Sequence, residues 1–224
     1  MLMKLFSILS QWLFPEKCVL CGRLLEKEEL DLCRKCRVEA PECGLSRTKY
    51  PFLDSWTAVW YYQDMVRGSI LRYKFYGRRN YAAAYARLLG VKLMKEDRLQ
   101  VDVITWVPIS PKRLKKRGFD QCRLLAEALS KETGIPAVAL LRKTRDNPPQ
   151  SGIVGHAHRK ANVLGVYEAV DPSALLGRRI LLLDDILTTG ATAGECARVL
   201  LTAGAEAVHL AVMAAANQQK KTGR

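Results

Sequence analysis

The chain has 224 residues, enough for one α/β domain with a small appendage, and its 49% hydrophobic and 26% charged content is that of a globular chain with a real core. Its net charge of +14 points to polyanionic partners (nucleic acid, phosphorylated small molecules or an anionic membrane surface), set against the plainer reading of a soluble protein that is merely basic. No apolar run reaches the roughly 18 residues of a membrane-spanning helix, so no segment is expected to span a membrane as a helix.

The start, MLMKLFSILSQWLFPEKC, has the outline of a signal peptide, but its apolar stretch is short and no small-x-small cleavage site follows. Leu2, Leu5, Phe6, Leu9, Trp12 and Leu13 recur at helical spacing, which predicts an amphipathic helix over residues 1–14 packed on its own domain or a partner. A peripheral membrane helix is the weaker alternative, since only Lys4 supplies positive charge there.

Cysteine and charge dominate the next stretch, to residue 48. With the leading helix it reads as a separate module, 1–48, ahead of a larger domain at 49–224. Cys18, Cys21, Cys33 and Cys36 give C-x2-C-x11-C-x2-C, two knuckles of the kind that close a tetrahedral Zn²⁺ site. Four cysteine ligands leave no open position, so such a zinc is structural. A redox pair is the alternative, but no thioredoxin-like βαβ setting surrounds it. Arg23, Arg34, Lys35 and Arg37 make the module a plausible docking or nucleic-acid surface. Metal chemistry in the cytoplasm, rather than a secreted disulfide framework, is the expectation.

KYPFLDSW reads as a linker with Pro51 and Asp54 as breakers. A strand is expected at 57–62, helices at 65–79 and 81–96, a β-branched buried strand at 101–108, a helix at 120–134 closed by Gly134, and a strand at 137–141. Residues 142–162 then lose all period and carry two consecutive prolines and many cations, the mark of a functional loop or lid. Strands follow at 163–169 and 179–185, a helix at 191–205 with Gly204 as its stop, a last strand at 207–215 and a frayed tail. Alternating strands and helices predict a mostly parallel sheet covered on both faces.

Residues 178–195, RRILLLDDILTTGATAGE, carry the chemistry. An apolar, central strand delivers Asp184 and Asp185 to its carboxyl end, where open parallel sheets bind ligands. Thr188, Thr189, Gly190, Ala191 and Thr192 then lead into a helix whose N-terminal amides and dipole suit phosphate. The carboxylates can accept hydrogen bonds from sugar hydroxyls or hold Mg²⁺. The stretch describes a site for a ribose 5-phosphate. A Walker B strand is the rival, but no G-x-x-x-x-G-K-[ST] occurs. An aspartate capping a turn accounts for one acid only.

ILLLDDILTTGAT closely resembles the signature with which type I phosphoribosyltransferases bind 5-phosphoribosyl 1-pyrophosphate (PRPP). The resemblance implies a type I phosphoribosyltransferase-like fold, a catalytic Asp184 and Asp185 facing the ribose hydroxyls, residues 188–192 around the 5-phosphate, and Mg²⁺ bound with PRPP. VPISPKRLKKRGFDQ looks like the pyrophosphate loop of those enzymes, with cations Lys112, Arg113, Lys115, Lys116 and Arg117; a solvated basic helix face is the alternative. Residues 142–162 fall where the flexible lid of that group lies, with Arg145 and Arg159 placed for pyrophosphate. His156 and His158 are candidates for proton work, or simply solvated.

A zinc ribbon ahead of such a domain resembles the ComF/GntX family of competence-associated proteins, as do RGFDQCRLLAEAL, KTRDNPPQSG and HRKANVLGVY. That resemblance implies handling of incoming DNA during natural transformation, with a competence helicase as a candidate partner; the +14 charge and the basic segments around 112–117 and 142–160 make single-stranded DNA an expected partner. The family's further C-x-x-C pair is reduced here to Cys43, with Ala40 at the partner position, so a second metal site is not expected. Cys122 and Cys196 read as buried bystanders. No base-recognition element is legible, so the acceptor is open. A non-catalytic DNA adaptor that takes PRPP or a nucleotide as ligand is the alternative.

Overall fold

The computed structural model describes residues 16–45, 48–147 and 162–217. The expected helix over 1–14, Arg159, His156, His158 and the tail lie outside them.

Four parallel strands form the central sheet in the order β1 (Ser55–Tyr61), β6 (Ala207–Ala215), β5 (Arg179–Leu187), β2 (Val103–Trp106). Burial of both faces explains the unbroken apolar run of β5. Its side chains alternate at the strand period. Leu181 and Leu183 enter one core with α2 (Asp64–Phe75), α3 (Tyr81–Lys95) and α5 (Gln121–Thr133). Ile180 and Leu182 enter the other with α6 (Ala191–Thr202) and the antiparallel pair β3 (Leu141–Lys143) and β4 (Tyr167–Ala169). The fold is α/β with a mostly parallel sheet, as expected.

Three local readings change. The segment 137–141 makes only an isolated parallel bridge, Ala137 to Ile104, and its strand begins at Leu141. Only Tyr167–Ala169 of 163–169 is strand, and it pairs with β3 outside the central sheet. Tyr167–Ala169 packs against α6, and residues 136–138 exchange hydrogen bonds with Ile104 at the sheet edge without extending into a strand. The loop after β2 contains a helix, α4 (Pro111–Arg117), started by Ser110, whose hydroxyl accepts from the Arg113 amide at 3.3 Å, with proline in its first turn and Gly118 at φ 78° closing it.

The cysteine module is built into the main core. Val19, Leu20, Leu32, Cys18, Cys33 and Cys36 share one apolar cluster with Trp60, Tyr85 and Leu89. Ser69 and Arg72 of α2 donate to the carbonyl of Val19, and Arg72 also donates to that of Leu20. Arg87 of α3 holds the buried Asp31 with two hydrogen bonds, one of 3.0 Å from Nε. Pro41–Cys43 lies antiparallel to β1, with Cys43 N donating to Val59 O at 3.0 Å and Tyr61 N to Pro41 O at 2.7 Å. The 1–48 segment therefore does not pack as an independent unit where it is described. The linker, too, is pinned: Asp54 exchanges hydrogen bonds with the Val208 amide and carbonyl.

Among the described residues no helix is long and apolar enough to cross a membrane.

Candidate active site

The site begins where two strands part. β2 ends with Trp106 opposite Leu183, whereas β5 runs on to Leu187 beside β6. Asp184 and Asp185 thus lie within β5, two residues before its end, and not at its tip as the sequence implied. A cleft of about 770 Å³ opens beside them, lined by the acids, by residues 186–193, and by Arg67, Lys74, Arg113, Lys116, Arg117 and Lys143. Six cations face two carboxylates, the polarity an anionic ligand needs.

Asp185 is buried and engaged at both oxygens: Oδ1 lies 2.8 Å from Lys74 Nζ, and Oδ2 accepts from Gln121 Nε2 at 2.9 Å. Arg117 in turn donates to the Gln121 side-chain oxygen. Asp184 Oδ1 accepts from the Asp185 amide at 2.8 Å and from the Cys122 thiol at 3.6 Å. Burial, then the neighbouring Asp185 charge, raises the Asp184 carboxyl above the usual carboxylate range. Burial works against the Lys74 ammonium, but Asp185 outweighs it and holds the pKa above the ordinary lysine value. Burial also pushes the Cys122 thiol well up, so it stays protonated and donates. Cys122 is therefore no bystander. Donor atoms of Cys122, Asp184 and Asp185 come within 4.8 Å of one another.

Gly190 is the N-cap of α6 at φ 74°, a left-handed conformation that glycine adopts without cost. At the start of the helix Ala191 N donates to Thr189 Oγ1 at 3.4 Å. Thr188, Thr189, Gly190, Ala191 and Thr192 all line the cleft.

Of the basic residues, Arg113 and Arg117 line the cleft, whereas Lys112 is exposed and does not. Arg113 donates to the Asn147 carbonyl at 2.7 Å, and Ser110 to Asp146, so α4 is tied to the start of the 142–162 segment. Arg145 instead donates to the Leu164 carbonyl at 2.8 Å, away from the cleft lining. Lys143 lies 5.4 Å from the centre of the Tyr167 ring, and burial, helped by the charge of Arg113, lowers its pKa to about 8.

Lys74, Gln121 and Lys143 were not read as site residues from the sequence. One signal for Lys74 is present: Val66, Ile70 and Lys74 follow the i, i+4, i+8 rhythm of the buried face of α2.

The four knuckle cysteines form the second group able to hold a metal, with sulfurs within 4.8 Å of one another. Gly22 at φ 79° turns the first knuckle, where Cys18 N donates to Arg23 O at 2.8 Å. Cys33 is the N-cap of α1 (Arg34–Glu39), and its sulfur accepts from the Cys36 amide at 3.4 Å. Burial opposes ionisation of Cys33, but that amide and the adjacent thiols outweigh it and draw its pKa down to about 7, toward the thiolate a metal binds. The donor set fits a closed four-sulfur site and leaves Cys43 aside.

Residues 120–223 match the phosphoribosyl transferase domain family. DNA utilization protein YhgH of Escherichia coli (strain K12) is 31% identical over 86% of this chain and 87% of its own length. Competence protein ComFC of Bacillus subtilis (strain 168) is 30% identical over 84% of this chain and 72% of its own. The chain belongs to the ComF/GntX family. Among solved structures, a glutamine PRPP amidotransferase from B. subtilis complexed with ADP and GMP is 25% identical with a TM-score of 0.43, covering 63% of this chain and 30% of that one. A purine phosphoribosyltransferase from Pyrococcus horikoshii Ot3 is 20% identical with a TM-score of 0.37, covering 63% and 75%. In this ComF/GntX chain the domain match starts at Asp120, the N-cap of α5, and takes in the acid pair and the glycine turn. Lys74 and the cysteine module fall outside it.

Proposed function

We propose that the cleft binds PRPP and that the chain acts in DNA handling during competence, through phosphoribosyl transfer to an acceptor of unassigned identity. One observation supports this above the rest: an acid pair and a left-handed glycine turn, a few residues apart on one strand–helix unit, open into a single cleft ringed by six cations. Asp184 and Asp185 accept hydrogen bonds from the ribose hydroxyls. The turn 188–192 receives the 5-phosphate on the first amides of α6. Arg113, Arg117 and Lys143 receive the pyrophosphate. Lys112 is left out because its side chain does not face the cleft.

A nitrogenous acceptor then attacks the sugar C1 and pyrophosphate leaves. The cationic wall stabilises the charge that gathers on the departing group. Mg²⁺, bound with PRPP, supplies further neutralisation of that group. The cysteine cluster holds a structural Zn²⁺, and the protein works in the cytoplasm. Calorimetric titration with PRPP tests the binding, and pyrophosphate release with candidate bases tests the transfer.

A second reading is a non-catalytic adaptor for single-stranded DNA. Phe75 and Tyr76, 62% and 74% exposed, favour it. They precede Arg78 and Arg79 in the chain, Phe75 lines the cleft, and the Arg117 guanidinium lies 5.0 Å over the Phe75 ring. Exposed rings among cations are how single strands are held without sequence preference.

A further inference from the structure

A carboxylate meant to coordinate a divalent ion presents open oxygens. Asp185 does not. Asp185 gives one oxygen to Lys74 at 2.8 Å and the other to Gln121 at 2.9 Å, in a contact where the lysine side chain is 17% exposed and the aspartate 10%. The helix that carries the lysine is also held in place. Tyr73 donates to the Gln121 carbonyl at 2.7 Å, and Ser69 and Arg72, earlier on α2, are bonded to the first cysteine knuckle. Knuckle and α5 together fix the backbone from which Lys74 reaches Asp185.

We propose that Lys74 is the resident cation of the acid pair, occupying the position on Asp185 at which a divalent ion would otherwise bind. Asp185 then takes part in ribose recognition, on the PRPP reading given above, without itself ligating metal. A divalent ion drawn to the Asp185 oxygens would sit a few ångströms from a fixed like charge, which repels it.

The test needs no PRPP, so it stands or falls apart from that reading. Mn²⁺ binding to the zinc-loaded full chain is followed by the loss of the free-ion electron paramagnetic resonance signal. Wild type and Lys74→Arg are expected to show no Mn²⁺ site that Asp185→Asn removes. Lys74→Met should gain one, tighter by about tenfold or more, and adding Asp185→Asn should abolish it. Lys74→Gln, which keeps a donor toward Asp185, covers the case in which the methionine variant does not fold, and should gain the same site. A wild-type Mn²⁺ site lost on Asp185→Asn overturns the proposal, as does a folded Lys74→Met or Lys74→Gln chain that gains none. If these results hold while PRPP fails to bind, the PRPP reading falls and the resident cation remains.

Discussion

The ring of Tyr50 lies on Gly190, filling the space into which a β-carbon would project. The linker thus covers the back of the turn at Gly190, and the Pro51 carbonyl approaches Gly194 of α6 in the same way, 3.2 Å from where a β-carbon would stand. Tyr50 is fixed in turn by an edge-on contact with Trp56, ring centres 5.9 Å apart.

Gly190→Ala should therefore cost about 3 kcal/mol: ~1–2 from the left-handed backbone and ~1–3 from overpacking against the ring. Adding Tyr50→Ala should relieve the second part and not the first. Denaturant midpoints of the two single variants and the double variant measure this. Full additivity would show that the ring and the turn are uncoupled. A larger residue at 190 would be a poor probe of phosphate binding, because it collides with Tyr50 before any ligand arrives.

Zinc at the cysteines should be inseparable from the stability of the whole chain, since the first knuckle is hydrogen-bonded to α2 and buried in the main core. Elemental analysis should find one zinc per chain, and Cys33→Ser with Cys36→Ser should remove it and lower the melting temperature of the entire fold. An unchanged melt after zinc loss would mean that the module contributes nothing to that core.

PRPP binding, as proposed, should be pH-dependent through Lys143. With a free-state pKa of about 8, it loses its charge as pH rises from 7 to 9. An anionic ligand favours the charged form and so draws a proton in on binding. Phosphate oxygens with a second pKa of about 6 are already ionised across this range. Affinity should fall with rising pH, by at most about tenfold per unit for one proton, and Lys143→Met should flatten the profile. Affinity that rises with pH in wild type would contradict the assignment.

Single-stranded DNA should bind with an affinity that falls steeply with salt. Phe75→Ala with Tyr76→Ala should weaken it by about 1–3 kcal/mol per stacked base while leaving the salt slope unchanged. Arg78→Ala with Arg79→Ala should instead flatten the slope. Titration of a labelled oligonucleotide at several salt concentrations separates the two, and a salt-independent affinity would exclude the electrostatic mode.

The sheet, its covering helices and the acid–glycine unit were legible because each follows from local pattern: an apolar run buried on two faces, a 3.6-residue period, a glycine where the chain must turn left-handed. What sequence could not show were contacts made across the fold. Lys74 is read from its neighbours as an ordinary helix lysine, and only the packing of α2 against β5 sets it on Asp185. The cysteine knuckles announce a metal site by spacing alone, but their burial against α2 and α3 depends on distant partners such as Arg72 and Arg87. The strands expected at 137–141 and 163–169 were misplaced because burial against the core produces the same apolar pattern as a place in the sheet.

The central claim is that β5 and its turn hold PRPP, and calorimetric titration of PRPP into wild type and Asp184→Asn/Asp185→Asn tests it most directly. Both substitutions keep side-chain size while replacing the carboxylates proposed to face the ribose, and circular dichroism melts check that the variant is folded. The account predicts saturable binding to wild type, weakened at least about tenfold in the variant, the loss of roughly 1.4 kcal/mol. A folded double variant that binds PRPP as tightly as wild type would contradict it.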